Sequence, residues 1–273
     1  METFKCSVSD ALAEELRRAV ERHPLSLDEI VGNALSEYLR PPGHTLFQVS
    51  TSGALVAGIY QGAVSTSELL RHGDLGLGTF EGLDGEMVVL DGRIYQVHAD
   101  GSVQVIEKDL LVPFAAVLPF ASDNTFEIPD PCSLRGLQRI CDGHRRSRNV
   151  FYAFRIDGVF ASVHTRAMRA VSEHTTLLDA ASVQPEFHFQ NVSGTIVGLW
   201  SPGYAAAFNV PGYHFHFISD DRMRGGHLLD FTSLHLELQV DAVSGYYIAL
   251  PQTEDFLHAT LPIDPTSALY KAE

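Results

Sequence analysis

The sequence predicts a mixed α+β fold, in which two predominantly β-sheet subdomains follow a small N-terminal strand-helix-helix module. Three observations support this. The first forty residues end at Pro41-Pro-Gly, a linker-type stretch, because proline stops a helix and glycine lets the chain turn. Asp-Gly pairs then separate short β-type runs, which is a strong hairpin signal. From residue 212 the side chains alternate with the period of two that a strand imposes.

The N-terminal module is predicted over residues 3–39. Alternating side chains at 3–8 predict a half-buried strand, Ser9 can cap a helix, and Ser26 with Glu29 can form the capping box of a second helix. This order resembles the ribbon-helix-helix family of dimeric DNA binders. Residues 1–40, however, hold five Lys and Arg against eight Asp and Glu. We therefore expect this domain to serve dimerisation more than DNA binding.

The second domain, 41–273, is expected to comprise subdomains of roughly 45–170 and 171–273. Strands are predicted at 46–50 and 54–60, with a short helix at 67–71. Asp84-Gly85, Asp91-Gly92 and Asp100-Gly101 delimit a meander with strands at 86–90, 93–98 and 102–106. A fourth pair, Asp157-Gly158, predicts a further hairpin. A helix is expected near 133–141 and a last strand at 246–250.

Composition narrows the possible partners. The 273 residues carry a net charge of −15, which argues against a nucleic-acid surface, since phosphate is bound through excess Lys and Arg. No apolar stretch is long enough for a membrane span, and the N-terminus lacks the pattern of a secretory signal. The three cysteines are too few for a disulfide framework and are expected to be free thiols. These features favour a cytoplasmic protein that binds small molecules or a second copy of itself.

The stretch Gly212-Tyr-His-Phe-His-Phe-Ile-Ser219 carries the chemistry. In a strand, His214 and His216 share one face and the aromatic residues share the other. A turn-rich segment follows, so an antiparallel hairpin would place His227 beside His216. Three neutral imidazoles with an open coordination position are typical of a catalytic zinc site. The alternative is an amphipathic hairpin whose polar face happens to carry histidines.

Two further side chains leave both a functional and an ordinary interpretation open. Glu86 begins a strand on an otherwise apolar face, so it needs a metal, an arginine or solvent as its partner. Arg166 follows His164 on one strand face, as a surface residue or as a clamp for an anion.

The residues named above belong to four motifs that together resemble those of a known family. The motifs are Gly73-Asp-Leu-Gly-Leu-Gly-Thr-Phe-Glu-Gly-Leu-Asp-Gly-Glu86, Val163-His-Thr-Arg166, Pro211-Gly-Tyr-His-Phe-His-Phe217 and Gly226-His227. Together they resemble the α-acetolactate decarboxylases over roughly residues 45–273. The resemblance implies a homodimer with Zn²⁺ between the subdomains, and the following residue roles. It implies metal ligands at His214, His216 and His227, catalytic residues at Glu86, Arg166 and a tail carboxylate, and substrate contacts from Thr79 and the backbone around Leu83. The tail carboxylate matches Glu273 best, with Glu254 as the fallback.

The implied reaction is decarboxylation of 2-acetolactate to acetoin and CO₂. Zinc held by the ketone and hydroxyl oxygens would stabilise the enediolate that remains after CO₂ departs. Arg166 would orient the carboxylate, and Glu86 or the tail glutamate would handle the hydroxyl proton and deliver a proton to carbon.

Two other functions remain as alternatives. A cupin-like metal oxygenase also uses His-x-His on a strand, but its glutamate is expected about four residues later, where this chain has Phe217-Ile-Ser-Asp-Asp. A ligand-sensing regulator would bind DNA through the N-terminal module, which the acidic charge of that module opposes.

Overall fold

The computed structural model describes residues 5–22, 26–28, 30–32, 44–122, 124–128, 131–172, 175–262 and 264–272. The chain divides into two compact units, Met1–Pro42 and Gly43–Glu273. None of the helices within the described ranges has the length and apolar character needed to span a bilayer. Cys6, Cys132 and Cys141 are free thiols, as predicted.

In the first unit, helix α1 spans Asp10–Arg22, and the Ser9 hydroxyl caps it by accepting a hydrogen bond from the Leu12 N–H at 3.3 Å. Residues 27–28 and 30–32 are also helical. The strand predicted at 3–8 is wrong for residues 5–8, which are irregular; residues 3 and 4 lie outside the described residues, as does Glu29 of the predicted capping box. A strand needs a neighbour to satisfy its backbone, and the described part of this unit offers helices instead. The ribbon-helix-helix interpretation is therefore not supported.

The second unit is rich in β-structure with a few short helices, as predicted. Its strands are β1 (Thr45–Val49), β2 (Val64–Ser65), β3 (Leu75–Thr79), β4 (Glu86–Leu90), β5 (Arg93–Val97), β6 (Val103–Val105), β7 (Leu111–Val112), β8 (Phe114–Leu118), β9 (Thr125–Ile128), β10 (Phe151–Arg166), β11 (Glu186–Ser201), β12 (Gly212–Ser219), β13 (Gly225–Val243) and β14 (Gly245–Ala249). Its helices are α2 (Ser52–Val56), α3 (Thr66–Leu70), α4 (Leu134–His144), α5 (Leu177–Ser182), α6 (Glu254–His258) and α7 (Thr266–Ala272), with 3-10 turns at Glu81–Leu83 and Gly203–Ala207.

The first sheet has the strand order β14-β1-β8-β3-β4-β5-β6. The predicted meander is confirmed, because Asp-Gly turns separate β4, β5 and β6. Asp91 and Gly92 both have positive φ, 52° and 70°, the conformation that a tight hairpin turn requires. The final strand β14 pairs in parallel with β1, so the first and last strands of this unit lie side by side in one sheet.

One predicted strand of this region is wrong. Residues 54–56 of the strand predicted at 54–60 belong instead to helix α2, which spans Ser52–Val56. Thr51 stands in extended conformation at its N-cap, and its hydroxyl accepts a hydrogen bond from the Ala54 N–H at 3.1 Å. A local side-chain cap therefore prevails over the apolar run that had suggested a strand.

The second sheet closes on itself, since β10-β11-β12-β13 pair in order and β13 also pairs with β10. The hairpin predicted at Asp157-Gly158 is wrong, because β10 continues through both residues. Glycine serves strand packing here: a Cβ on Gly158 would lie 2.5 Å from the His235 carbonyl oxygen. Asp157 is used within the sheet, where it accepts hydrogen bonds from Arg155 and Thr195.

The two faces of the closed sheet carry separate cores. One face is aromatic, is covered by α4, and includes Phe154, Phe160, Phe215 and Phe217. The other face contributes Val197, Leu199 and Ile218 to an aliphatic core shared with the first sheet. The candidate site lies at the end of β12 where this second face meets β4.

Candidate active site

Strands β12 and β13 place the three histidines. Their antiparallel register pairs His216 directly with His227, as the alternating pattern predicted. His214 lies two residues earlier on the same face, while Phe215 and Phe217 point into the aromatic core on the opposite face. The aromatic core therefore fixes the strand rotation that presents the imidazoles together.

The imidazoles of His214, His216 and His227 converge. One ligating nitrogen of each lies within 4.8 Å of the others, and the Nε2 atoms of His214 and His216 are 3.2 Å apart. The ring planes are inclined at 49–71° to one another. Because the planes are inclined, the in-plane lone pairs of the three rings can meet at one point, as a bound cation requires.

Burial, which is nearly complete for His216 and His227 and partial for His214, keeps these imidazoles neutral. Desolvation, reinforced by the nearby Arg166 charge, lowers the pKa of His214 to about 3. Desolvation and the neighbouring His214 lower the pKa of His216 and of His227 well below the usual value. His216 Nδ1 lies 2.8 Å from the Met87 carbonyl oxygen, to which it can only donate, so its Nε2 carries the lone pair. Neutral rings with a fixed tautomer are ready metal ligands.

Closure of the second sheet places Arg166 next to the three histidines. The register of β10 with β13 pairs it with His227. Its Nη2 donates to the Ala272 carbonyl oxygen of helix α7 at 2.6 Å. The guanidinium is therefore held beside the histidines by two elements distant in sequence, and it can bind an anion there.

Glu86 comes from the other sheet, at the start of β4, and is only 6% exposed. Its Oε1 accepts a hydrogen bond from the Met168 backbone N–H at 3.0 Å, and its Oε2 lies 3.5 Å from His216 Nε2. Both sheets thus contribute to one site. A buried carboxylate beside histidines can hold a cation or exchange a proton.

Thr79 and Leu83 also lie at this site. Thr79 pairs with Glu86 in the β3–β4 register and donates its hydroxyl hydrogen to the Gly85 carbonyl at 2.8 Å. Leu83 is buried with a positive φ of 58°, in the turn that precedes β4. The cavity is lined by polar and apolar side chains together, namely Thr79, Glu86, Arg166, Gln184, His214, His227, Leu55, Leu83, Phe114, Met168, Leu177, Val210 and Leu269, with Gly78 and Ala272.

The two candidates for a tail carboxylate differ in position. Glu273 lies outside the described residues, although the preceding Ala272 lines the cavity. Glu254 lies on α6, where it is highly exposed and pairs with His258 at 3.1 Å. It is absent from the described lining of the cavity.

Sequence reasoning missed several contacts of the site. The carbonyl of Met87 and the N–H of Met168 are backbone groups, for which a side-chain pattern gives no signal. Gln184 lies on an irregular stretch between α5 and β11 and carries no motif. A second histidine group was also missed: His164, Glu186 and His188 lie together on β10 and β11.

Comparisons with known proteins agree with this arrangement. Residues 46–262 match the family model described as alpha-acetolactate decarboxylase. An alpha-acetolactate decarboxylase of Methanosarcina mazei is 39% identical over 246 residues, covering 90% of this chain and 85% of that protein. One of Methylococcus capsulatus is 39% identical, covering 84% and 89%. The crystal structure of alpha-acetolactate decarboxylase from Bacillus subtilis strain 168 superposes with a TM-score of 0.80 at 34% identity, covering 84% of this chain and 98% of that one. Because the match extends over most of the described second unit and includes its fold, the chain belongs to the alpha-acetolactate decarboxylase family.

Proposed function

We propose that this chain is a zinc-dependent carboxy-lyase that converts 2-acetolactate to acetoin and CO₂. The observation that carries the proposal is the convergence of three neutral imidazoles, two of which line a cavity together with Glu86 and Arg166. Membership of the family supports this reaction over a cupin-like oxygenase or a DNA-binding regulator.

The donor set fits zinc. His214, His216 and His227 offer three neutral nitrogens, the number found in catalytic sites that keep a position for substrate. Zinc bound there would act as a Lewis acid towards the substrate's ketone and hydroxyl oxygens.

Arg166 binds the substrate carboxylate in this proposal. Its planar guanidinium matches a carboxylate with two parallel hydrogen bonds, and its contact with Ala272 limits its rotation. Holding the carboxylate out of the plane of the ketone aligns the breaking carbon–carbon bond with the carbonyl π system. The electron pair of that bond then moves to the ketone oxygen as CO₂ leaves.

Glu86 supplies the proton that replaces CO₂ on carbon. Its position is fixed by the Met168 N–H, so it can reach one face of the planar enediolate. Delivery from one face gives one enantiomer of acetoin. The net reaction consumes one proton, which reaches the carboxylate from solvent. Glu273 remains the proposed second carboxylate of the site.

The remaining lining suits a small, partly apolar substrate. Leu55, Phe114 and Leu269, which line the cavity, can contact the two methyl groups, and Thr79 and Leu83 line the same cavity. Excluding water there strengthens every charged contact of the substrate.

The test is an acetoin assay combined with metal analysis. Purified protein should contain about one zinc per chain and should release CO₂ and acetoin from 2-acetolactate. Removal of the zinc by a chelator should abolish this reaction, and added zinc should restore it. Fully zinc-loaded, folded protein that leaves 2-acetolactate unchanged would refute the proposal.

Assembly as a homodimer in the cytoplasm completes the proposed function. Helix α1 buries none of its residues, and Leu12 is 50% exposed, so an apolar surface is available to a second copy. Free thiols suit a reducing compartment. Light scattering on the full chain and on residues 43–273 should give a dimer and a smaller species; dimers of equal stability in both would remove the first unit from the interface.

A further inference from the structure

Gln184 is a cavity residue to which the proposed reaction gives no part. It lies just after α5, where its N–H donates to the Ala181 carbonyl at 3.4 Å. The next residue, Pro185, accepts a hydrogen bond from the Ala167 N–H at 3.2 Å. These backbone contacts fix the turn against the end of β10, and Gln184 lines the cavity together with Arg166 and Met168.

The amide oxygen of Gln184 lacks a partner within the protein. Its Oε1 is buried, and no described residue donates a hydrogen bond to it. Leaving a buried oxygen unsatisfied is unfavourable, so native proteins nearly always supply a donor from the protein, from water or from a ligand. In a cavity built for a small molecule, such an acceptor indicates that the ligand carries a matching donor.

We propose that Gln184 Oε1 accepts the hydrogen bond of the substrate's tertiary hydroxyl, and so selects 2-hydroxy acids. The inference deepens the proposed function and rests on it for the identity of the substrate. At neutral pH the hydroxyl is the one hydrogen-bond donor of 2-acetolactate, since its ketone and carboxylate only accept. An acceptor facing this substrate therefore has a single possible partner.

Glu86 also carries acceptor oxygens, but in the proposed function this carboxylate holds the proton that is delivered to carbon. Oε1 accepts from the Met168 N–H, and Oε2 lies 3.5 Å from His216 Nε2. A neutral amide has a further advantage over a carboxylate. It cannot take the hydroxyl proton, so the hydroxyl keeps its hydrogen while the electron pair moves to the ketone oxygen.

The consequence is selectivity against acids that lack the hydroxyl. A site built to bond a substrate hydroxyl rejects the analogue without it, because the site's own polar atom is then left buried and unpaired. The stable pair 2-hydroxyisobutyrate and isobutyrate differs in that hydroxyl alone, and neither acid has the ketone that decarboxylation requires.

The experiment measures binding of both acids by calorimetry to the zinc-loaded wild type and to Gln184→Leu. Wild type should prefer the hydroxy acid, and Gln184→Leu should reduce the preference ratio by about tenfold, the loss of one hydrogen bond to a buried group. Val183→Ala is the control, since Val183 is 60% exposed on the same turn and should leave the ratio unchanged. Gln184→Glu keeps an acceptor oxygen and should retain most of the ratio, although its charge weakens binding of both acids.

Gln184→Met provides a second apolar variant, so misfolding of one variant leaves the result decisive. An unchanged ratio in the folded apolar variant would overturn the inference, as would equal binding of the two acids by wild type. The outcome is separable from that of the proposed function. Wild type that binds with the expected selectivity but forms no acetoin contradicts the decarboxylation, whereas active wild type with an unchanged ratio in Gln184→Leu contradicts the role of Gln184.

Discussion

Two histidine groups on the closed sheet show what strand register can and cannot provide. We call His214, His216 and His227 the buried group, and His164, Glu186 and His188 the exposed group. In each, paired strands bring two imidazoles side by side, His216 with His227 and His164 with His188. Register therefore makes neighbours in both groups.

The rings of the two groups are arranged differently. In the exposed group the His164 and His188 rings stack at 4.0 Å with an angle of 18°, so their in-plane lone pairs run side by side. His164 Nε2 lies 2.8 Å from Glu186 Oε2, in a contact open to solvent. In the buried group the rings are inclined and the Met87 carbonyl fixes one tautomer. Burial and a backbone acceptor, added to register, distinguish a ready set of ligands from a surface cluster.

The largest expected effect follows from removing one buried imidazole. His216→Gln should lower zinc affinity by more than about 100-fold, which exceeds the effect of losing a residue that only supports a ligand, because it removes a ligand itself. Acetoin formation should fall with zinc content. His188→Gln, the matched change in the exposed group, should leave both unchanged. Competition with a chelator measures the zinc affinity. Equal losses of affinity in the two variants would show that the buried and exposed groups do not differ in zinc binding.

The second effect concerns Glu86, which reaches the buried group from the other sheet. Glu86→Gln keeps the shape but cannot deliver a proton, so kcat should fall by about 100-fold or more at saturating zinc. Glu81→Gln is the control, because Glu81 accepts from the Gly62 N–H outside this cavity. A kcat within tenfold of wild type in Glu86→Gln would assign the proton transfer to another group.

The buried group also shows how much of the site was visible in the sequence. Alternation placed His214 and His216 on one face, and the turn between β12 and β13 set the pairing with His227, because these are local features of a single hairpin. Arg166 arrives through pairing of β10 with β13, which depends on closure of the sheet. No local pattern encodes that closure, so only the family resemblance joined Arg166 and Glu86 to the histidines.

The fold shows the same division between local and distant causes. The meander was predictable because Asp-Gly turns specify hairpins locally. Asp157-Gly158 gave the same signal and misled, since Gly158 admits the close approach of β13 and makes no turn. The structural role of this pair depends on a strand about 80 residues away, which a short local stretch of sequence does not include. In the first unit, alternation over six residues predicted a strand that has no described partner.

A third effect, of intermediate size, is the loss of folding stability that the buried imidazoles cause as the pH falls. Their folded pKa values lie below the unfolded value of about 6.5, so the unfolded chain binds more protons as the pH falls. Stability is therefore retained above that value and lost below it, by about 1.4 kcal/mol per imidazole at about pH 5.5. Urea unfolding of metal-free protein should show this loss, and His214→Gln should show a smaller one. A stability that stays flat between about pH 7 and 5.5 would contradict the neutral, buried rings.

The smallest effect compares the two His–Glu contacts directly by double-mutant cycles on unfolding free energy. The exposed pair, His164 with Glu186, should couple by less than about 1 kcal/mol, since water screens it and side-chain ordering opposes it, despite its short 2.8 Å separation. The buried pair sets the His216 Nε2 lone pair 3.5 Å from Glu86 Oε2 in a poorly solvated cavity. Its coupling, which is repulsive while Glu86 is ionised, should therefore be the larger of the two in magnitude in metal-free protein. Cycles with His164→Gln and Glu186→Gln, and with His216→Gln and Glu86→Gln, keep the side-chain volumes matched. If the shorter exposed contact proved the stronger, distance would outweigh burial, and the physical contrast between the two groups would fail.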